Sequence, residues 1–141
     1  MFMHPQKPNP RTEYREQATE RIAAASTLAE QYPDLDSLSA SLTYFAPDGG
    51  FQTRAIKYTF NLAHAKSLFC FECSNQECVE GDFDLTVELA RAVAAHRSTL
   101  SGEVVCQGWR SRNTMGLEHC HHILRYKLSL GYKQPATQGC K

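Results

Sequence analysis

No stretch of this chain approaches the roughly 18–20 consecutive apolar residues that a membrane-crossing helix requires, so no membrane partner is expected. It also lacks an excess of charge of either sign. Fifteen basic residues cancel fifteen acidic ones, which argues against a protein whose main task is to coat nucleic acid or an anionic membrane. A local basic patch remains compatible with that balance. The start, Met1 to Pro10, has no apolar core of the kind a signal peptide needs, and carries His4, Pro5, Pro8 and Pro10 instead. A tail in a cytoplasmic protein is the expectation. Glycine-rich phosphate loops, a nucleophile elbow, a cysteine–histidine protease signature and H-E-x-x-H are all missing. The zinc-deaminase pattern is missing too, since His64-Ala65-Lys66 does not supply its H-x-E. No constellation commits the chain to catalysis.

What is present suits an ordinary folded protein: 141 residues, 42% apolar and 21% charged, enough to bury a core without help from a metal or a disulfide. Neither an internal repeat nor an interior linker is visible. The expected organisation is a disordered tail over 1–11, a single α+β domain over 12–133 and a flexible C-terminal tail over 134–141.

Hydrophobic spacing predicts the elements. Tyr14, Ala18, Ile22, Ala25, Leu28 and Tyr32 recur every three or four residues, as on one helix from Thr12 to Tyr32, with Thr12 as N-cap and Pro33 as the stop. The period then becomes two. Leu38, Ala40, Leu42 and Tyr44 form one strand; Ile56, Tyr58, Phe60 and Leu62 form a second, joined by the turn Pro47-Asp48-Gly49-Gly50. Leu68–Cys73 reads as a third strand. Asp82 or Asp84 would cap a second helix running to about Arg97, with Leu85, Leu89, Val93 and His96 inward, and Ser101-Gly102 would end it. Glu103–Trp109 and Cys120–Tyr132 read as the last two strands. The order α-β-β-β-α-β-β implies a mostly antiparallel sheet with the helices packed on one face.

The first five elements resemble a double-stranded-RNA-binding domain in order alone. The basic glycine-lysine start of that family's second helix is replaced by Glu80-Gly81-Asp82-Phe83-Asp84, whose acidity would repel phosphate. No family is assigned on this basis.

Cysteines stand at 70, 73, 78, 106, 120 and 140. In a reducing compartment such a set suggests metal binding more than a disulfide framework. Cys73 and Cys78 flank the polar loop Ser74-Asn75-Gln76-Glu77, at the wide end of zinc-knuckle spacing. Cys106 closes one predicted strand and Cys120 opens the next. If those strands are antiparallel neighbours, both cysteines lie at one end of the sheet, where the third strand also exits. The expected site is therefore a structural zinc ion at Cys73, Cys78, Cys106 and Cys120, at one end of the sheet. Iron suits four thiolates equally. Cys70 can stand in for Cys73, and His122 for Cys120. The competing reading is a set of small buried apolar residues. A redox dithiol at Cys70 and Cys73 is disfavoured, because no helix starts beside Cys70 to lower its pKa. Cys140 is expected to be a free thiol.

The run Glu118-His119-Cys120-His121-His122 could in principle furnish ligands and a base for a metal-dependent hydrolase using Glu118 and His122. Adjacent strand residues point to opposite faces, however, so the run cannot converge on one metal. Residues 72–88 hold six carboxylates and no basic residue, whereas 106–133 hold Arg110, Arg112, Arg125, Lys127 and Lys133 against Glu118 alone. Two lobes of opposite charge would flank the metal. Between the last two candidate ligands lies a loop bearing Trp109, Arg110 and Arg112, residue types that often dominate interface energy. The expected function is a non-catalytic binding or regulatory module that recognises a protein partner through that loop. The hydrolase and a nucleic-acid-binding domain are the alternatives, the latter disfavoured by zero net charge.

Overall fold

The computed structural model describes residues 10–47, 51–75, 78–112 and 116–134, and the side chains of these except 110–119. The turn residues 48–50, the Gln76–Glu77 part of the polar loop, the tail over 1–9, the C-terminal segment 135–141 and Cys140 lie outside the described residues.

The chain runs α1 (Pro10–Ala24), α2 (Leu28–Gln31), β1 (Leu35–Phe45), β2 (Gln52–Thr59), β3 (Cys70–Glu72), β4 (Asp82–Asp84), α3 (Thr86–Ala94), β5 (Thr99–Val105), β6 (Trp109–Arg112), β7 (Gly116–His119) and β8 (Ile123–Tyr132). β2, β1, β8 and β5 lie side by side, in that order, in one antiparallel sheet. The fold is α+β, as the periodicities imply. The helix and strand patterns are interrupted more often than expected, and each interruption has a local cause.

β1 and β8 form the centre. Leu38 pairs with Leu130, Ala40 with Leu128, Leu42 with Tyr126 and Tyr44 with Leu124, so one face of both strands is apolar and buried. The other face carries Ser39, Ser41, Thr43, Arg125, Lys127 and Ser129, as period-two alternation requires. Leu28, Phe83, Leu85, Leu89 and Ala92 complete the core over the apolar face. Burying a leucine of this kind contributes on the order of 2 kcal/mol.

The predicted first helix is two helices. Thr27 caps α2: its hydroxyl accepts from Glu30 N at 3.1 Å and Glu30 Oε1 accepts from Thr27 N at 3.0 Å, a reciprocal capping box. The chain turns there because Leu28 N and Ala29 N donate to Ala65 O and Leu62 O, outside any helix. α1 begins at Pro10, so Thr12 lies inside it rather than at its cap.

The second predicted helix is shorter at both ends. Asp82 and Asp84 belong to β4, which pairs with β3, and Asp84 Oδ1 accepts from Thr86 N at 2.9 Å just before α3 begins. His96 takes φ 51°, the left-handed conformation that closes helices. It is therefore not inward-facing: it is exposed, its ring stacked on Tyr132 at 4.4 Å. Ser101 and Gly102 do not end this unit; they are the middle of β5. Gly102 is accommodated there because a Cβ would fall 2.7 Å from Tyr126 Oη. The third strand, reduced to Cys70–Glu72, does not join the main sheet. The order shared with the RNA-binding family therefore does not extend to topology.

Candidate metal centre

Two of the three loops that meet at the site leave the same end of the β5–β8 ladder. Cys106 follows β5 directly, and its N–H donates to His122 O at 2.7 Å, extending the ladder by one pair. Cys120 precedes β8, but His121 has φ 55°, so the strand expected to run from Cys120 begins only at Ile123. The third segment is the turn after β3. Cys73 N donates to Gly81 O at 3.1 Å and Cys78 N to Asn75 O at 3.1 Å, drawing Cys73 and Asn75 against Gly81 and Cys78. Val79 and Trp109 exchange backbone hydrogen bonds at 2.6 and 3.0 Å, and Cys120 N donates to Gly108 O at 3.0 Å. The three loops are thus laced together by main-chain bonds before any side chain is considered.

Inside this lacing the sulfurs of Cys73, Cys78, Cys106 and Cys120 all lie within 4.8 Å of one another, and all four residues are buried. Cys73 Sγ is 3.6 Å from Cys120 Sγ, and Cys78 Sγ is 3.6 Å from Cys106 Sγ. A disulfide needs about 2.0 Å. Four sulfurs each about 2.3 Å from a central ion stand about 3.8 Å apart at tetrahedral corners; here two separations are 3.6 Å and none exceeds 4.8 Å. The cage is sized for one ion, and its donors are all soft. This cluster can hold a metal ion.

Two glycines make the cage possible. A Cβ on Gly81 would lie 2.2 Å from Cys78 Sγ and 2.8 Å from Cys106 Sγ; one on Gly108 would lie 2.5 Å from Cys78 Sγ and 2.7 Å from Gly81 Cα. Gly108 N also donates to Cys106 Sγ at 3.4 Å, and Asn75 Nδ2 to Cys120 Sγ at 3.5 Å. Such bonds favour sulfur in its charged form.

The four buried thiols perturb one another electrostatically. Hydrogen bonding with Cys106 and Cys120, then burial, pushes the Cys73 thiol up; burial and the neighbouring Cys106 push Cys78 up. Hydrogen bonding with Cys120 raises Cys106. Cys120 moves the other way, held down by hydrogen bonds from Cys106 and Cys73. A cation held there would deprotonate the thiols it binds.

Arg11, at the start of α1, clamps the knuckle from outside. Its guanidinium donates to Asn75 O at 2.7 Å, to Cys73 O at 3.2 Å and to Cys78 O, and pairs with Glu72. Arg15 pairs with Asp82, whose other oxygen accepts from the Tyr14 hydroxyl at 2.6 Å. Glu72 and Asp82 of the acidic lobe are thus met by α1, which lies outside the basic lobe of residues 106–133. Arg125 of that lobe pairs with Glu103 at 2.9 Å.

Cys70 is not in the cage. Burial, with Asp84 beside it, pushes its thiol up to about 12, the reverse of what a redox dithiol needs. His122 lies just outside, its Nδ1 3.2 Å from Cys120 Sγ. The side chains of Glu118 and His119 lie outside the described residues. The segment expected to be a loop at Trp109, Arg110 and Arg112 is instead strand β6, paired with β7. Trp109 is half-buried, and the side chains of Arg110 and Arg112 are outside the described residues.

Compared with protein-family models, with curated proteins and with solved structures, the chain gives no match.

Gly81 and Arg11 were missed from sequence, for different reasons. A glycine three residues past Cys78 and another two past Cys106 are local signals, readable once tight approach to sulfur is considered. Arg11 reaches Asn75 across 64 positions, and nothing near it in the chain announces the contact.

Proposed function

We propose that this chain is a non-catalytic binding or regulatory module stabilised by a structural zinc ion at Cys73, Cys78, Cys106 and Cys120. The convergence of four buried sulfurs within 4.8 Å carries the reading. Four thiolates fill a tetrahedral shell and leave no position for the water that a hydrolytic zinc needs. Burial of every ligand separates the ion from any substrate. This weighs against the hydrolase built on Glu118 and His122.

The partner surface in this reading is the β6–β7 hairpin with Trp109, Arg110 and Arg112, and the partner is a protein. The hairpin lies between Cys106 and Cys120, and Trp109 is bridged to Val79, so a metal-loaded cage holds it in place before binding. Pre-ordering of this kind lowers the entropic cost of association.

The deciding experiment is elemental analysis of purified, tag-free protein beside Cys73→Ser and Cys106→Ser. One zinc per chain, lost in both variants, supports the site; metal-free protein with both variants folding normally removes it. Iron in place of zinc would change the ion and keep the cage. Cobalt substitution reports the shell: an all-thiolate tetrahedral spectrum is expected. For the hairpin, Trp109→Ala with Arg110→Ala should abolish capture of an identified protein partner and leave the melting temperature nearly unchanged. Loss of fold instead would defeat the interface reading.

A further inference from the structure

The two edges of the main sheet are built differently. β2, at one edge, carries Arg54 and Lys57, and its pairing with β1 is broken by an irregularity at Tyr44/Phe45. Charged residues and bulges are how natural sheets stop an edge from recruiting another strand. β5, at the other edge, is Thr99-Leu100-Ser101-Gly102-Glu103-Val104-Val105: no lysine, arginine or proline, and seven consecutive pairs with β8 without a register shift. Its single charge, Glu103, is engaged by Arg125.

The direction of its backbone groups follows from two bonds. Leu130 N donates to Ser98 O at 2.8 Å, and Cys106 N donates to His122 O at 2.7 Å. Residues of even number therefore bond to β8, since the antiparallel ladder alternates. Thr99, Ser101, Glu103 and Val105 turn their N–H and C=O groups outward. Val105 O accepts from Gln107 Nε2 at 3.2 Å; the rest of this row has no partner among the described residues.

We infer that β5 is an interface, and that its partner is β5 of a second copy of this chain, added antiparallel about a twofold axis. Gly102 is the midpoint of the strand. A twofold axis there sets Thr99 opposite Val105 of the second copy and Ser101 opposite Glu103 of the second copy, and it gives every outward residue a ladder partner. Gln107 releases Val105 O in exchange for a main-chain bond. The same register keeps the two Glu103 carboxylates from standing directly opposite each other, where like charges destabilise. It also closes half-buried Leu100 against Val104 of the second copy and covers part of Val105, which is 41% exposed.

The groove beside the edge, between α3 and β5, has charge of both signs: Glu88, Arg91 and Arg97 line it with Ala92, Ala95 and Leu100. Arg91 and Arg97 have no ion-pair partner among the described residues. A self-complementary set is what an isologous contact requires.

Analytical ultracentrifugation of the full, metal-loaded chain tests this against Ser101→Pro. The Ser101 N–H points away from β8, so proline blocks the edge and spares the internal ladder. The expected result is a monomer–dimer equilibrium whose dissociation constant rises at least about tenfold in the variant. A chain that stays monomeric to about 1 mM would overturn the inference, as would a dimer that Ser101→Pro leaves unchanged. Should the variant fail to fold, amide exchange in the unaltered protein decides. The Thr99, Ser101, Glu103 and Val105 amides must become protected as concentration rises, and equal exchange at low and high concentration rules the pairing out.

Discussion

The sheet end and the cysteine end of this molecule are held together by different forces. At the sheet end, Leu38, Leu42, Leu124, Leu128 and their neighbours are buried on one face of two long paired strands. At the cysteine end the strands are three or four residues long, β3 with β4 and β6 with β7, too short to persist alone. The first end has an apolar interior of its own. The second joins the same buried cluster through Phe83 and adds to it four sulfurs, two glycines and an arginine clamp. Hydrophobic burial tolerates substitution by degrees, whereas a four-ligand cage is either complete or not.

If the cage holds a metal as proposed, stripping it should therefore have the largest effect. Structural zinc contributes roughly 10–16 kcal/mol in small domains. Chelation or Cys106→Ser should abolish protection of the Val79 and Trp109 amides in hydrogen exchange while the β1–β8 amides stay protected. Simultaneous loss at both ends would show that the two regions are not separable in this way. Gly81→Ala comes next, because its new methyl group meets two sulfurs of the cage. It should lower metal content at purification to a fraction of one ion per chain. Gly131→Ala, facing only the Ser37 side chain and backbone, should retain the full amount.

Leu128→Ala attacks the other end. Fully buried, it should cost about 2–5 kcal/mol in denaturant unfolding and leave metal content untouched. Arg11→Ala lies between the two regimes. Loss of its charged hydrogen bonds to the knuckle should cost about 1.5–3 kcal/mol and speed metal transfer to a competing chelator, leaving stoichiometry at one. Glu103→Ala should be the smallest. Its ion pair with Arg125 is solvent-exposed, and the change in stability should stay within about 1 kcal/mol.

The same contrast explains what could be read from the sequence. Alternation at Leu38–Tyr44 and at Leu124–Leu130 is a direct imprint of a one-sided sheet, and both strands lie where it places them. The convergence of the four cysteines was also legible, since Cys106 and Cys120 end neighbouring strands. The break at Thr27 has a local sign, Glu30 three residues on, which the reading by hydrophobic spacing does not use because the apolar period runs through the break. The β6–β7 pair had no such sign, because four-residue strands without alternation look like loop. Contacts such as Arg11 with Asn75 arise only from tertiary arrangement. No local period encodes them.

The spacing of the cysteines has a consequence for the order of events in folding. Cys73 and Cys120 are 47 positions apart, and Cys78 and Cys106 are 28 apart. Bringing either pair together means closing a long loop, a search whose entropy must be met before any sulfur meets another. The β5–β8 ladder shortens that search, because its pairing alone carries Cys106 and Cys120 to one place. An ion held by these sulfurs would therefore be a late arrival. It would not nucleate this chain; it would lock an arrangement that strand pairing has already drawn up, and the rate of folding should not depend on how much metal is in solution.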